Sequence, residues 1–465
     1  MRDRSQGIET PCVPLCQRGI KGVCRTICRA TPLAVAVLLA VFTPSGRVAA
    51  DPPPARTLEE VVRGTLASEE SLRIAEAEVR KAELRTKRYY RYMTPDVRLR
   101  GSYSRIGVED DGSGAGEGEA SSGDLYTWGL ALTQPLYTGG RATAAYRGQK
   151  DQEASLRLQA ELTGRALAVA AAQAYYGALE AAAAVEIGEQ AVVLARRQFE
   201  RASRRVQLGE AVLNDQLRAE VSLRRLEADL GSFRSALAQA KEQVRRLSGL
   251  ELAASPVVPP PRPQIAGSDD SLVAEALAAR LEPEQARLAV SAAEEDVREK
   301  KGRFLPSLVL NAMYGEAGEA LSDRPWAWSA GVVLEMPIYQ SGSTTYALRE
   351  SRVGLEQERL RAAGAARDIE REVLGLLREI EAVRSRVGSF ELGVAATGEN
   401  IRLSERRYEV GLADSIEVAD AQNADFVARV GLASAGYRLE TLTLRLDNAL
   451  GRELFATQKP APPLR

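Results

Sequence analysis

Any chemistry in this chain proceeds without histidine, and all four cysteines, Cys12, Cys16, Cys24 and Cys28, fall within the first thirty residues. That removes most nucleophilic and metal-centred catalysis. The spacing C-x3-C-x7-C-x3-C could be offered as a zinc knot, but it sits in the basic leader of an export signal and is expected to leave with it. No phosphate-cradling glycine loop followed by Lys-Ser/Thr occurs, so no nucleotide is expected. Carboxylates remain. Asp/Glu pairs could serve a periplasmic hydrolase, yet the compact α/β pattern that would build a pocket around them is missing. The chain is expected not to be an enzyme and to need no cofactor or metal.

The elements that position the remaining polar residues begin after residue 50. The first fifty residues carry seven basic side chains against two acidic ones, then the apolar run Leu33–Phe42, then small residues at Val48 and Ala50. This is the layout of a cleaved secretory signal. Ten apolar residues are too few to span a bilayer as a helix. No cysteine follows the run, so neither a lipid-modified cysteine nor a disulfide is expected in the mature chain. Without the signal there are 55 basic and 61 acidic residues, a net charge of about −6, with no basic footprint for nucleic acid.

The mature sequence is a duplication. Residues 130–147, LALTQPLYTGGRATAAYR, return at 332–349 as VVLEMPIYQSGSTTYALR. With Gly140 set on Gly342 the offset of 202 holds for over a hundred residues: Pro135 falls on Pro337, Arg204-Arg205 on Arg406-Arg407, Gly209 on Gly411, Gly249 on Gly451. Before the junction the offset is 211, with Pro95 on Pro306, so the first copy holds nine extra residues between those points. An uninterrupted offset through helical sequence means that helix length is conserved between the copies.

Each copy opens with a helical segment of about 35 residues by its 3.6-residue period, 58–93 and 272–303, closed by proline. The period then becomes two. Tyr126, Trp128, Leu130 and Leu132 share a face opposite Thr127, Gly129, Ala131 and Thr133. In the second copy Trp326, Trp328, Ala330, Val332 and Leu334 alternate with Ala327, Ser329, Gly331, Val333 and Glu335. Short strands that are apolar outward and polar inward, with aromatic residues toward the ends, suit a transmembrane β-barrel. A half-buried soluble sheet shares the alternation; export and the placement of all three tryptophans favour the barrel. The Gly- and acid-rich stretch 107–124 and its shorter counterpart 315–325 read as solvated loops.

After each junction the sequence stays helical to a glycine turn and back. In the return segment Leu223, Leu226, Leu230, Phe233, Leu237, Ala240, Val244 and Leu247 make a heptad seam. The alanine-rich stretch 168–184 is read as close helix packing. The sequence therefore divides into a signal (1–50), a first repeat (51–250) with its strand pair at 95–135, a proline-rich linker (251–270), a second repeat (271–453) with its strand pair at 306–337, and a tail (454–465). Four strands cannot close a barrel, and an open edge is not tolerated in lipid. A trimer is the smallest assembly whose barrel leaves an aqueous lumen.

The junctions QPLYTGGR and MPIYQSGS, the turns RRVQLGEAVLND and RRYEVGLADSIEVADAQ, the duplication and the signal together resemble the TolC-like outer-membrane efflux proteins, over residues 57–452. The resemblance implies a mainly α-helical homotrimer with a twelve-stranded barrel in the outer membrane, continued by an α-helical tunnel across the periplasm. Its implied partners are outer-membrane lipid, a periplasmic adaptor and an inner-membrane pump of the RND or ABC type. It places adaptor docking at the tip turns Gly209 and Gly411, acidic rings at Glu417 and Asp420, and a tip latch at Asp215 and Tyr408. Ala413 departs from the basic residue common there, and Arg218 is a candidate substitute. Tyr126, Trp128, Trp326 and Trp328 are the expected membrane-facing aromatics. The competing reading is a periplasmic adaptor or coiled-coil scaffold, which would also be exported and helical.

Overall fold

The computed structural model describes residues 56–106, 123–253, 258, 267–319, 325–452 and 454. The signal, the 107–122 stretch, residues 320–324, most of the proline-rich linker and the rest of the tail lie outside the described residues.

Among the described residues twelve elements follow one another as two copies of the same order. The first copy is α1 (Leu58–Ser68), α2 (Glu70–Arg91), β1 (Asp96–Ile106), β2 (Gly123–Tyr137), α3 (Arg141–Gln207) and α4 (Leu213–Ser248). The second is α5 (Asp269–Ala279), α6 (Glu282–Gly302), β3 (Ser307–Gly318), β4 (Trp326–Glu335), α7 (Ser343–Glu409) and α8 (Ser415–Ala449). The long helices α3 and α7 have 67 residues each, roughly 100 Å at 1.5 Å per residue. Both start after a glycine in the left-handed region, Gly140 at φ 78° and Gly342 at φ 77°, a conformation open to glycine at little cost. Ser341, the counterpart of Gly139, also has positive φ, at 51°.

One expectation is corrected. The segments 58–93 and 272–303 are each two helices, broken at the equivalent residues Glu69 and Arg280, both in extended conformation. In the second copy Pro283 opens α6, and its missing N–H cannot continue α5. In the first copy side chains take up carbonyls of the last turn instead. Ser68 donates to Gly64 O at 2.8 Å and Arg73 to Ala67 O at 2.8 Å, offering the backbone an alternative to helix. The short helix α1 lies beside the last turn of α4, where Ser68 Oγ is 3.1 Å from Leu247 O.

The strands form one antiparallel sheet in the order β1-β2-β3-β4. Its registers put the predicted faces together: Leu99 opposite Leu130, Leu130 opposite Tyr314, and Tyr314 opposite Trp328. The apolar face carries all three tryptophans. Trp128 and Trp326 flank Glu316 in the register, and the Trp128 indole donates to Glu316 Oε2 at 2.8 Å. The other face is small and polar. At its centre Gly129 pairs with Gly315; a Cβ on Gly129 would lie 2.5 Å from Tyr314 O, so only glycine fits. The strands run past the expected ends, with β3 continuing through Gly318. A β-bulge lies between Pro135 and Tyr137, where the missing proline N–H interrupts the ladder.

The helices are held by three apolar clusters. In the first copy Leu58, Val61 and Val62 of α1 pack on Ala171, Ala172, Tyr175 and Ala178 of α3, so the alanine-rich stretch does serve close packing. The second copy repeats this with Leu272 and Ala276 against Ile369, Val373 and Leu376. The third cluster joins the copies: Phe426 of α8 packs with Val192 and Ala195 of α3 and Leu223, Leu226 and Leu230 of α4. The heptad seam thus serves both its own hairpin and its neighbour. Among the described residues no helix is long and apolar enough to cross a membrane.

At the second break, Arg280 is 13% exposed and its guanidinium meets the carboxylates of Glu282 and Glu372. Burial opposes the charge on Glu282 and Arg280, but the bonds between them outweigh it, holding the Glu282 carboxyl below its usual range and the guanidinium above its own. Replacing Arg280 with Met is expected to cost about 1–2 kcal/mol after solvent screening. A depressed carboxyl pKa contributes stability above the unfolded value, about 4.3, and loses it as pH falls through the folded one. The gap in melting temperature between wild type and Arg280→Met should therefore be full at pH 7.5 and narrow at pH 3.5. A gap independent of pH would remove the ion cluster from the account.

Candidate functional site

The docking, ring and latch residues singled out from the sequence gather at the two helix-to-helix turns, and the four aromatic ones lie in the sheet. At the first, α3 ends in an αL closure: Gly209 has φ 74°, and Glu210 N donates to Arg205 O at 2.9 Å. At the second, Gly411 has φ 76°, and Leu412 N donates to Arg407 O at 2.8 Å. These bonds satisfy carbonyls that a helix end leaves orphaned. Both glycines adopt positive φ, which a tight helix-to-helix turn needs.

The return helices start differently. Asp414 caps α8 by accepting from Ile416 N at 3.2 Å and Glu417 N at 3.0 Å, whereas its counterpart Val212 gives α4 no side-chain cap. Both turns are apolar and open to solvent: Leu208, Val212 and Leu213 at the first and Val410 and Leu412 at the second are all more than half exposed.

Near the tips Arg201, Arg205 and Ser415 link the two hairpins. Arg201 meets Glu405 at 3.2 Å. Arg205 donates to Tyr408 O at 3.1 Å, and its guanidinium lies 4.9 Å from the centre of the Tyr408 ring. The Ser415 hydroxyl is 3.3 Å from both the backbone oxygen and Oδ1 of Asp215. A fourth contact closes the second hairpin on itself, where Arg407 donates to Glu417 Oε1 at 2.6 Å and Ser404 Oγ lies 3.5 Å from the same oxygen.

The predicted residues are therefore close together but differently partnered. Asp215 and Tyr408 both sit in the link between hairpins, yet within the protomer they do not meet. Asp215 takes Ser415, while the Tyr408 hydroxyl is buried without a hydrogen-bond partner among the described residues. Glu417 is half-buried and ion-paired, whereas Asp420, one turn on, is exposed. Arg218 is exposed and forms no ion pair among the described residues. The residues missed by sequence reasoning are Arg201, Arg205, Arg407, Ser404, Glu405 and Ser415. The doubled Arg204-Arg205 and Arg406-Arg407 were the available signal, visible only as markers of the repeat. Farther from the tips, Thr397 donates to the buried Asp425 at 3.0 Å and Arg429 to the same carboxylate at 2.6 Å, beside a small cavity lined by Gln422 and Phe426. Among the described residues no group of His, Cys, Asp or Glu could hold a metal ion.

The family model for outer membrane efflux proteins matches residues 61–250 and 272–452, and the chain belongs to that family. It is 23% identical over 343 residues to the outer membrane protein TolC of Vibrio cholerae, covering 70% of this chain and 77% of that one. It is 24% identical over 332 residues to the alkaline protease secretion protein AprF of Pseudomonas aeruginosa, covering 70% and 69%. Among solved structures, a membrane protein from Pseudomonas aeruginosa superposes with a TM-score of 0.78 at 21% identity, covering 87% of this chain and 92% of that one. The family places the chain in the outer membrane, reaching into the periplasm, as a transport channel.

Each tip glycine has open space around its missing Cβ, so alanine there meets only the left-handed backbone penalty of about 1 kcal/mol. Gly209→Ala and Gly411→Ala are each expected to raise trypsin cleavage at the adjacent arginine pair about five-fold, the population change that 1 kcal/mol gives. Gly231→Ala, also with open space but mid-helix in α4, should leave that rate unchanged. Equal rates in all three would mean that the turns do not depend on positive φ.

Proposed function

We propose that three copies of this chain close one twelve-stranded barrel in the outer membrane and continue it inward as an α-helical tunnel. The assembly is a passive exit duct of a tripartite efflux or type I secretion system, opened at its periplasmic tip by an adaptor and an inner-membrane pump of the RND or ABC type. The observation that carries this is the four-stranded sheet. Its apolar face is exposed along all four strands, and β1 and β4 each offer an unpaired edge. Neither feature is tolerable in one copy in lipid, and twelve strands remove both edges while leaving a lumen.

The tip supports the docking and gating roles. The exposed apolar side chains Leu208, Val212, Leu213, Val410 and Leu412 around Gly209 and Gly411 suit a helical hairpin of an adaptor. In a trimer Asp420 and Glu417 repeat as rings of three carboxylates, which favour cations by their field. Asp420 carries more of that field, because Arg407 compensates Glu417. Asp215 and Tyr408 act in the closed latch through the links described, with Arg218 free to reach a neighbouring copy. Tyr126, Trp128, Trp326 and Trp328 lie at the membrane boundary. Transport energy comes from the pump, and the passenger is whatever the pump delivers.

Detergent-extracted protein in a planar bilayer, with its mass measured in the same preparation, tests this reading. A trimer giving a small, steady, cation-selective current that divalent ions block is expected. Asp420→Ala should lower cation preference, and Glu417→Ala and Asp215→Ala, which cut helix-to-helix bonds, should raise conductance. A soluble monomer without current would overturn the channel reading; unchanged conductance in Glu417→Ala and Asp215→Ala together with unchanged cation preference in Asp420→Ala would overturn the gate assignment.

A further inference from the structure

The duplication fixes how one copy meets the next. The hairpins β1-β2 and β3-β4 have identical registers under the repeat offsets: Asp96 opposite Thr133 becomes Ser307 opposite Glu335. The pairing of β2 with β3 is therefore the pattern for β4 with β1 of a neighbouring copy, since β4 repeats β2 and β1 repeats β3. Within the chain Thr133 stands opposite Asn311, and its hydroxyl lies 3.3 Å from Asn311 Oδ1. Carried to the open edges, that polar pair becomes Glu335 opposite Arg100 of the partner subunit.

We infer that Glu335 and Arg100 of the partner subunit form an ion pair across each subunit seam, on the luminal face at the periplasmic end of the barrel, and set the register in which the copies join. This rests on the trimer reading above. Both side chains are exposed at unpaired edges, and neither has an ion-pair partner within 4.0 Å among the described residues. Arg141 and Arg303 line a cavity of about 310 Å³ together with Glu335. Both are engaged elsewhere, Arg303 with Glu299 at 3.1 Å and Arg141 with Thr138 O at 2.9 Å. Arg98, which a two-residue slip would bring opposite Glu335, is already paired with Asp96.

The outer face agrees with the same register. It puts Val332 opposite Tyr103 of the partner subunit and Met336 opposite Leu99 of the partner subunit, side chains that are now 56%, 56%, 57% and 72% exposed. Aromatic against β-branched and apolar against apolar are favourable cross-strand pairs. The helices below show the same asymmetry. Glu295 of α6 is buried at 6% exposure, and a Cβ on Gly148 of α3 would sit 3.3 Å from it; its counterpart on α2, Leu84, is 65% exposed. Ile74, also on α2, and Val353 and Leu360 on α7 are likewise more than half exposed. These are the two helices whose neighbours are missing in one copy. The partner this surface fits is a second copy of the same chain.

The test combines disulfide trapping with charge reversal in the full chain, extracted from membranes. Arg100→Cys with Glu335→Cys should give a covalent trimer on non-reducing gels that reductant dissolves, because directly opposed Cβ atoms lie within disulfide reach and diagonal ones do not. Arg98→Cys with Glu335→Cys should not link, and protein without introduced cysteines controls for the native ones. Arg100→Glu or Glu335→Arg alone should lower the temperature at which the trimer dissociates in detergent, and the double reversal should restore it. A trimer by mass that links at 98–335, or not at 100–335, or whose double reversal is no better than the singles, overturns the pair and leaves the trimer standing. A monomer by mass for the unmodified protein overturns both.

Discussion

Two rows of backbone N–H and C=O groups, one along β1 and one along β4, are the constraint on which the rest of this structure depends. In water an edge strand is merely a liability. In hydrocarbon each unpaired group costs several kcal/mol, and a sheet whose apolar face includes Trp128, Trp326 and Trp328 belongs in hydrocarbon. In the proposed assembly the edges are satisfied by another copy. Because the chain is a duplication, the geometry of that contact is already present once inside it, between β2 and β3. The seam between copies and the seam within a copy are then two instances of one solution, differing in the side chains that occupy it.

The same constraint sets the helix lengths. Helices α3 and α7 both start at the sheet and must reach one common tip, so neither can gain or lose a turn without lifting its glycine turn out of line with the other. Both have 67 residues, and their return helices have 36 and 35. The nine additional residues of the first copy fall between β1 and β2, the one connection whose length no other element must match. Loop closure becomes only slowly more costly with length, whereas a helix shifted by even two residues turns its buried face to solvent.

Much of this was legible in the sequence, because periodicity and repetition are local properties. The strand faces, the glycine turns and the heptad from Leu223 to Leu247 are readable from which residue types recur and how often. The break at Arg280 had a visible cause in Pro283. The break at Glu69 had none, since Ser68 and Arg73 end that helix by reaching carbonyls that a pattern search does not weigh. The tip was harder still. Asp215 and Tyr408 were identified, but their contacts within the protomer depend on which faces two separate hairpins turn to each other. Leu213 and Ser415 occupy the same repeat position, and only the hydroxyl can bond to Asp215.

That divergence between equivalent positions separates the two hairpins mechanically. The second is tied to itself: Arg407 to Glu417 across its turn, Asp414 to its own helix start, Thr397 and Arg429 to the buried Asp425. In the first hairpin Glu227, matching Arg429, is likewise tied inward, to Arg196 at 2.9 Å, but the two equivalents at the tip point elsewhere. Arg205, matching Arg407, reaches out to Tyr408, and Asp215, matching Glu417, reaches out to Ser415. Self-contained bonds survive a rigid movement of the hairpin that holds them, and bonds to a neighbour do not. The links that a parting of the tips must break are partly exposed polar contacts, worth about 1 kcal/mol or less each; the apolar cluster around Phe426 lies farther up the helices. In the proposed assembly the second hairpin can therefore swing at its tip while that cluster stays packed, for a few kcal/mol. Binding energy from an adaptor at the exposed apolar turn is sufficient to supply this.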